Sequence, residues 1–299
     1  MIHFVVGVSL LLGSSSSVYA DGLQINEPEC GMPTRGMIVN GSIAEPNQFP
    51  WMVYLVLHFY DGRTFGCGGS ILTKLHILTA AHCTHDDKRR PFKRIDVYYG
   101  NTDRTRAKIL RVTKMISHPK FDNHRFINDI AVLVVDRPFE YGSNARPICI
   151  PTAPMNIMNM ETIVAGWGLL QEGGNPTNRL RYTTVRVVKE QWCSKVYPQR
   201  FDGYVEYCAY RKGTDSCQVD SGGPAIVRVD KGRYVQVGVL SYGTGCSREY
   251  EPGVYARVDV FIPWLKQVVG SFAKAYSSEV PLQLKPYIIP QWPRIFQFP

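Results

Sequence analysis

Three side chains that lie far apart in the chain have the types needed to split a bond together. Ser221 stands in Asp215-Ser216-Cys217-Gln218-Val219-Asp220-Ser221-Gly222-Gly223-Pro224, between an aspartate and two glycines. A serine hydroxyl is a weak nucleophile near neutral pH and needs a base within hydrogen-bond reach. The glycines permit a sharp bend and a close approach that a Cβ would block. His82, in Thr79-Ala80-Ala81-His82-Cys83, offers an imidazole, and Asp129, in Asn128-Asp129-Ile130-Ala131-Val132-Leu133, offers a carboxylate where an apolar strand opens. Singly they read as a core histidine, a cap and a turn serine. Jointly, in the order His, Asp, Ser, they point to nucleophilic attack on a carbonyl, because unrelated hydrolases use the same groups in other orders.

In this order His82, Asp129 and Ser221 resemble the catalytic triad of the trypsin/chymotrypsin-like serine proteases, and the likeness covers about residues 38–270. The resemblance implies that Ser221 attacks the scissile carbonyl, that His82 carries the proton and that Asp129 orients the imidazole. The backbone N–H groups of Val219 and Ser221 would form the oxyanion hole. The family has glycine where this chain has Val219, a stiff β-branched residue that avoids positive φ. Asp215, six residues before Ser221, matches the pocket-floor carboxylate that pairs with arginine or lysine. Gly243 and Gly253 match the glycines of the pocket wall, and Ser241 matches the residue whose backbone aligns substrate. The resemblance thus implies a secreted serine endopeptidase that cleaves after Arg or Lys through an acyl-enzyme. The alternative, resting on Val219, is a weak or inactive homologue that acts as a binding module. A third reading is a narrow venom, clotting or digestive enzyme.

Ile38-Val39-Asn40-Gly41 resembles the family's mature amino terminus, whose freed amine pairs with the aspartate before the serine, here Asp220. A cation beside that carboxylate would hold it charged. The family usually has a basic residue just before the isoleucine, whereas this chain has Arg35-Gly36-Met37-Ile38. Cutting after Arg35 would leave two extra residues, roughly 7 Å of chain, so activation requires a cut after Met37. The resemblance also selects the disulfides Cys30–Cys149, Cys67–Cys83, Cys193–Cys208 and Cys217–Cys246 from the 105 pairings that eight cysteines allow. The first would keep residues 21–37 attached as a propeptide arm. Asn40-Gly41-Ser42 is a glycosylation acceptor.

The elements that must position these groups are short. Apolar runs at 51–60, 69–79, 95–99, 109–116 and 130–135 are followed, after the proline-rich 147–154, by runs at 162–166, 180–188, 207–210, 225–229, 234–242 and 253–258. Such spacing means an all-β protein. The resemblance makes it two six-stranded antiparallel β-barrels with the active site in the cleft between them and a C-terminal helix, which Gly270 would stop. Residues 1–20 read as a signal peptide too short to span a bilayer. Residues 271–299 carry five prolines and six aromatic residues; they read as a disordered tail or as an aromatic strap.

The formal net charge is +9, and residues 88–114 hold ten Lys/Arg against Asp96 and Asp103. This is a solvated face or a surface for polyanions and acidic segments. It lacks the aromatic platforms of nucleic-acid binders. The loop 101–108 has one acid among cations, which predicts no calcium, and no Cys/His spacing predicts zinc or another cofactor. The expected partners are protein substrates and protein protease inhibitors, with neither nucleic acid nor membrane, and the expected state is a monomer.

Overall fold

The computed structural model describes residues 24–33, 42–86, 88–169, 176–212, 220–229, 232–243 and 250–279. The strands among them are β1 (Ser42–Ile43), β2 (Met52–His58), β3 (Thr64–Ile71), β4 (His76–Thr79), β5 (Arg94–Tyr99), β6 (Lys108–Ser117), β7 (Ala131–Val135), β8 (Glu161–Gly166), β9 (Arg181–Val187), β10 (Glu206–Tyr210), β11 (Pro224–Arg228), β12 (Tyr234–Tyr242) and β13 (Gly253–Arg257). Two helices accompany them, α1 (Glu190–Val196) and α2 (Ile262–Glu279).

β2 to β7 close into one antiparallel barrel in the order β2-β3-β4-β7-β6-β5. The second barrel runs β8-β9-β10-β13-β12-β11 and returns to β8, with β1 added outside on β9. The fold is therefore the expected pair of six-stranded barrels. β2 shows how sequence drives it. Side chains alternate across a strand, so Val53, Leu55 and Leu57 enter the core of the first barrel. Met52 and Tyr54 face the other way and join Trp51, Trp167, Tyr182 and Tyr234 in a second buried cluster between the barrels. A strand buried on both faces needs an unbroken apolar run, and Met52–Leu57 supplies it.

Two expectations need correction, and two elements escape the sequence. Residues 69–79 are not one strand, because the chain reverses at 72–75, where Leu72 N–H bonds His76 O at 2.8 Å. β1 and α1 have no signal in the sequence. They are short, and α1 is tied to β10 by the Cys193–Cys208 disulfide. Gly270 does not stop the last helix. It is exposed, its φ is not positive, and α2 continues to Glu279. The extension is held by packing, since the Phe272 ring lies 4.9 Å from that of buried His76.

Cys30–Cys149 joins residues 24–33 to the linker between the barrels. Gly31 N–H bonds Pro147 O at 2.9 Å and Gly31 O accepts from Tyr234 N–H at 2.8 Å. The Asn26 side chain both donates to and accepts from the Ile150 backbone. The cysteines 217 and 246 lie outside the described residues, as do the segments 1–20, 34–41 and 280–299.

Because a Cβ at Gly270 would meet nothing within 4 Å, Gly270→Ala is expected to stabilise the protein by about 0.5–1 kcal/mol. Equilibrium urea unfolding checks this, and an unchanged or lower midpoint counts against an ordered helix there.

Candidate active site

His82 sits in a short 3-10 turn, Ala81–Cys83, that follows β4. The turn is fixed at both ends. Cys83 is disulfide-bonded to Cys67 on β3, and the Thr84 hydroxyl donates to Ala81 O at 2.7 Å. Asp129 precedes β7 and is 1% exposed. A buried carboxylate is costly unless donors surround it, and Asp129 has three. Its Oδ1 accepts the His82 backbone N–H at 2.9 Å, and its Oδ2 accepts His82 Nδ1 at 2.7 Å and the Ser241 hydroxyl at 2.5 Å. The donors come from both barrels. The bond to Nδ1 sets the tautomer and leaves Nε2 to accept a proton.

The Ser221 turn is anchored by its backbone. Gly68 N–H, next to Cys67, donates to Ser221 O at 2.8 Å, and Cys83 Sγ lies 3.6 Å from the same oxygen. Gly222 N–H donates to Leu240 O at 2.7 Å, and Gly223 O accepts from Leu240 N–H at 2.9 Å. Gly222 has φ +84°, and a Cβ there would fall 2.2 Å from Thr79 Oγ1. The Ser221 turn thus rests directly on the corner that carries His82, which no larger residue at 222 would permit.

Asp220 turns its carboxylate toward Gly166 and Gly168 and accepts Gly168 N–H at 2.8 Å. A Cβ at either glycine would overlap that carboxylate. Gly243 and Gly253 face each other, with Gly253 Cα 3.7 Å from where a Gly243 Cβ would be. Ile38, Asn40, Asp215 and Val219 lie outside the described residues.

Part of the site carries no signal in the sequence. Ser241 has an expected backbone role, but its hydroxyl also binds Asp129. Phe126 belongs to no motif, yet its ring packs 5.3 Å from that of His82. Glu206 is equally unmarked, and it is 2% exposed beneath Tyr242. Burial pushes the Glu206 carboxyl up to about 8. One oxygen receives Asp202 N–H at 2.9 Å and the Tyr242 hydroxyl at 3.4 Å, while the other has no hydrogen-bond partner.

A Cys67–His82–Cys83 cluster has its donor atoms within 4.8 Å of one another, but the two sulfurs are joined as a disulfide and offer no thiolate. Asp103 is occupied in capping the 104–106 turn through Thr105. Much of the basic stretch is engaged locally. Arg90 pairs with Asp86, Arg94 with Asp96 and Lys108 with Glu140, and Arg104 donates to Thr177 O. Less charge therefore faces a partner than the count of cations suggests.

The family model described as Trypsin matches residues 38–265. The chain belongs to the trypsin family. It is 34% identical over 243 residues to the "Suppressor of tumorigenicity 14 protein homolog" of Bos taurus, covering 78% of this chain and 28% of that one. It is 33% identical over 284 residues to the "Clotting factor G beta subunit" of Tachypleus tridentatus, covering 89% of this chain and 90% of that one. "Serine proteinase stubble" of Drosophila melanogaster is 32% identical over 259 residues, 81% of this chain and 32% of its own length. The chain thus spans less than a third of two of these trypsin-family relatives and nearly all of the third. Among the described residues no helix is long and apolar enough to cross a membrane.

The raised Glu206 carboxyl has a stability consequence. In the unfolded chain it ionises near 4.5 and in the folded one near 8, so its favourable contribution is complete below pH 4.5 and is lost as pH rises toward 8. Glu206→Gln removes that dependence. Its stability relative to the parent should grow by a few kcal/mol between pH 5 and 8, as read by urea unfolding at both pH values. A difference that does not move with pH would count against a neutral buried carboxyl.

Proposed function

We propose that the chain is a secreted serine endopeptidase that hydrolyses peptide bonds after Arg or Lys. One observation carries the reading: the Asp129 carboxylate, fed by His82 and Ser241, holds an imidazole whose Nε2 is left for a hydroxyl, next to the anchored Ser221 turn. In this mechanism Ser221 Oγ forms a bond to the scissile carbonyl carbon while its proton passes to His82. The tetrahedral oxyanion is met by the N–H groups of Val219 and Ser221, and the imidazolium then protonates the leaving amine. Water repeats the sequence on the acyl-enzyme and releases the acid. Asp215 at the pocket floor, with Gly243 and Gly253 leaving the slot open, selects the long cationic side chain. Ser241 aligns the substrate backbone.

Activation would follow from a cut after Met37. The new Ile38 amine would pair with Asp220, whose carboxylate already lies over Gly166 and Gly168, while Cys30–Cys149 keeps the arm attached. Asn40 would carry the glycan. Protein substrates and protein inhibitors are the partners this family membership supports, and the basic stretch 88–114 is a second surface for acidic segments. The Tachypleus tridentatus relative, named a clotting factor subunit and matched along 90% of its length, favours a clotting-type protease among the narrow enzymes considered.

The mature secreted protein should begin at Ile38 by terminal sequencing and bind a fluorophosphonate probe at Ser221. Asp215→Ser should lower kcat/KM on arginine peptides on the order of 100-fold or more, the loss of a charge-assisted pair. Gly36 as first residue, or no labelling of the Ile38 form, overturns the reading.

Val219 supports the second reading, a weak homologue that binds without efficient turnover. Val219→Gly should then raise turnover of a small arginine ester, by up to the roughly 100- to 1000-fold that one oxyanion donor is worth. Equal turnover of the two forms would remove the basis of the homologue reading.

A further inference from the structure

Beside His82 lies an aromatic box filled by a cation of the chain itself. Phe126 packs against the His82 ring and stands 6.0 Å from Tyr242, and Tyr197 closes edge-on against Tyr242 at 5.5 Å. The guanidinium carbon of Arg200 sits 3.8 Å from the centroid of Tyr242 and 4.4 Å from that of Phe126. The surrounding loops are pinned. Arg125 Nε donates to Gln199 O at 3.3 Å, and the Tyr197 hydroxyl donates to Pro252 O at 2.9 Å.

Stacking satisfies the faces of a guanidinium. Its in-plane N–H groups still need acceptors, and here they are poorly served. Arg200 Nε is buried without a hydrogen-bond partner, and no carboxylate pairs with Arg200 among the described residues. Glu206, which the hydroxyl of the same Tyr242 reaches at 3.4 Å, forms no ion pair with Arg200, and burial favours its neutral form. Exposed Arg125 adds a second cation at the mouth. A half-buried arginine with open donors is a receptor for a carboxylate, which a guanidinium binds in its own plane.

We propose that Arg200 is a specificity-determining residue, and that its guanidinium, stacked on Phe126 and Tyr242, takes the carboxylate of an aspartate or glutamate in the substrate segment preceding the cleaved bond. This rests on the protease reading, because it is that reading which runs the acyl side of a substrate along Ser241 to Gly243, past Tyr242. The aromatic rings hold Arg200 in place before substrate arrives, so little side-chain entropy is lost on pairing.

Fluorogenic peptides ending in arginine, with Glu, Gln, Leu or Lys at the two to four positions before the cleaved bond, test this against the parent, Arg200→Met and Arg200→Glu. Methionine keeps an apolar stem over Tyr242. The parent should prefer Glu to Gln by about 10- to 100-fold in kcat/KM at low salt, the worth of one charge-assisted hydrogen bond. The ratio should fall to about one in Arg200→Met, and Lys should overtake Glu in Arg200→Glu. A parent ratio near one overturns the proposal. So does an Arg200→Met form that speeds Leu peptides yet keeps the ratio, since Arg200 would then only plug the box. Calorimetric binding of the Glu and Gln peptides to Ser221→Ala reads the same preference without chemistry. A parent that fails to label with the serine probe, while Ser221→Ala still ranks Glu above Gln, sinks the protease reading and leaves this one standing. Equal affinities there overturn it.

Discussion

The structure turns on one buried charge. Asp129 has almost no access to water, and a carboxylate in that position is tolerated only where donors replace its hydration. Its donors are the backbone and ring of His82 in the first barrel and the hydroxyl of Ser241 in the second. Satisfying this one group therefore fixes the two barrels against each other at the cleft. The apolar cluster that contains Trp51, Tyr54, Trp167 and Tyr234 supplies area between the barrels, but area has no direction. The hydrogen bonds to Asp129 set the register in which that area is buried.

Covalent and steric constraints then bring the Ser221 turn to the same place. Cys67–Cys83 ties the His82 corner to β3, and the residue after Cys67 donates to the Ser221 carbonyl. Gly222 removes the side chain that would separate the turn from Thr79. None of these contacts involves the serine hydroxyl. The scaffold positions the Ser221 backbone through its neighbours, and the proposed nucleophilic role of the side chain relies on that fixed backbone.

How much of this the sequence discloses depends on how local the cause is. The strands are legible because two-residue alternation and apolar runs are local, and His82, Asp129 and Ser221 are legible because each sits in a distinctive short motif. The break at 72–75 escapes because Leu72 and Leu75 are as apolar as the strands they join. Gly270 misleads because the preference of glycine for helix ends is weak beside the packing of Phe272 on His76. The hydroxyl of Ser241 escapes because its partner is 112 residues away. Arg200 escapes for the same reason, since Phe126 and Tyr242 become its neighbours only when the barrels are in place.

The two acids at the cleft show how similar side chains meet opposite surroundings. Asp129 and Glu206 are both nearly inaccessible, and the charge on Asp129 adds to the burial that disfavours ionisation of Glu206. Asp129 receives three donors, the backbone N–H and ring of His82 and the hydroxyl of Ser241, which together replace its hydration. Glu206 receives one backbone N–H and a long contact from Tyr242, and its second oxygen has no partner. Burial without donors favours the neutral acid. Tyr242 stands between Glu206, which its hydroxyl reaches, and Arg200, which stacks on its ring and pairs with no carboxylate among the described residues. The two acids therefore differ in their donors and not in their burial, and the donors decide which of them the fold can hold as a carboxylate.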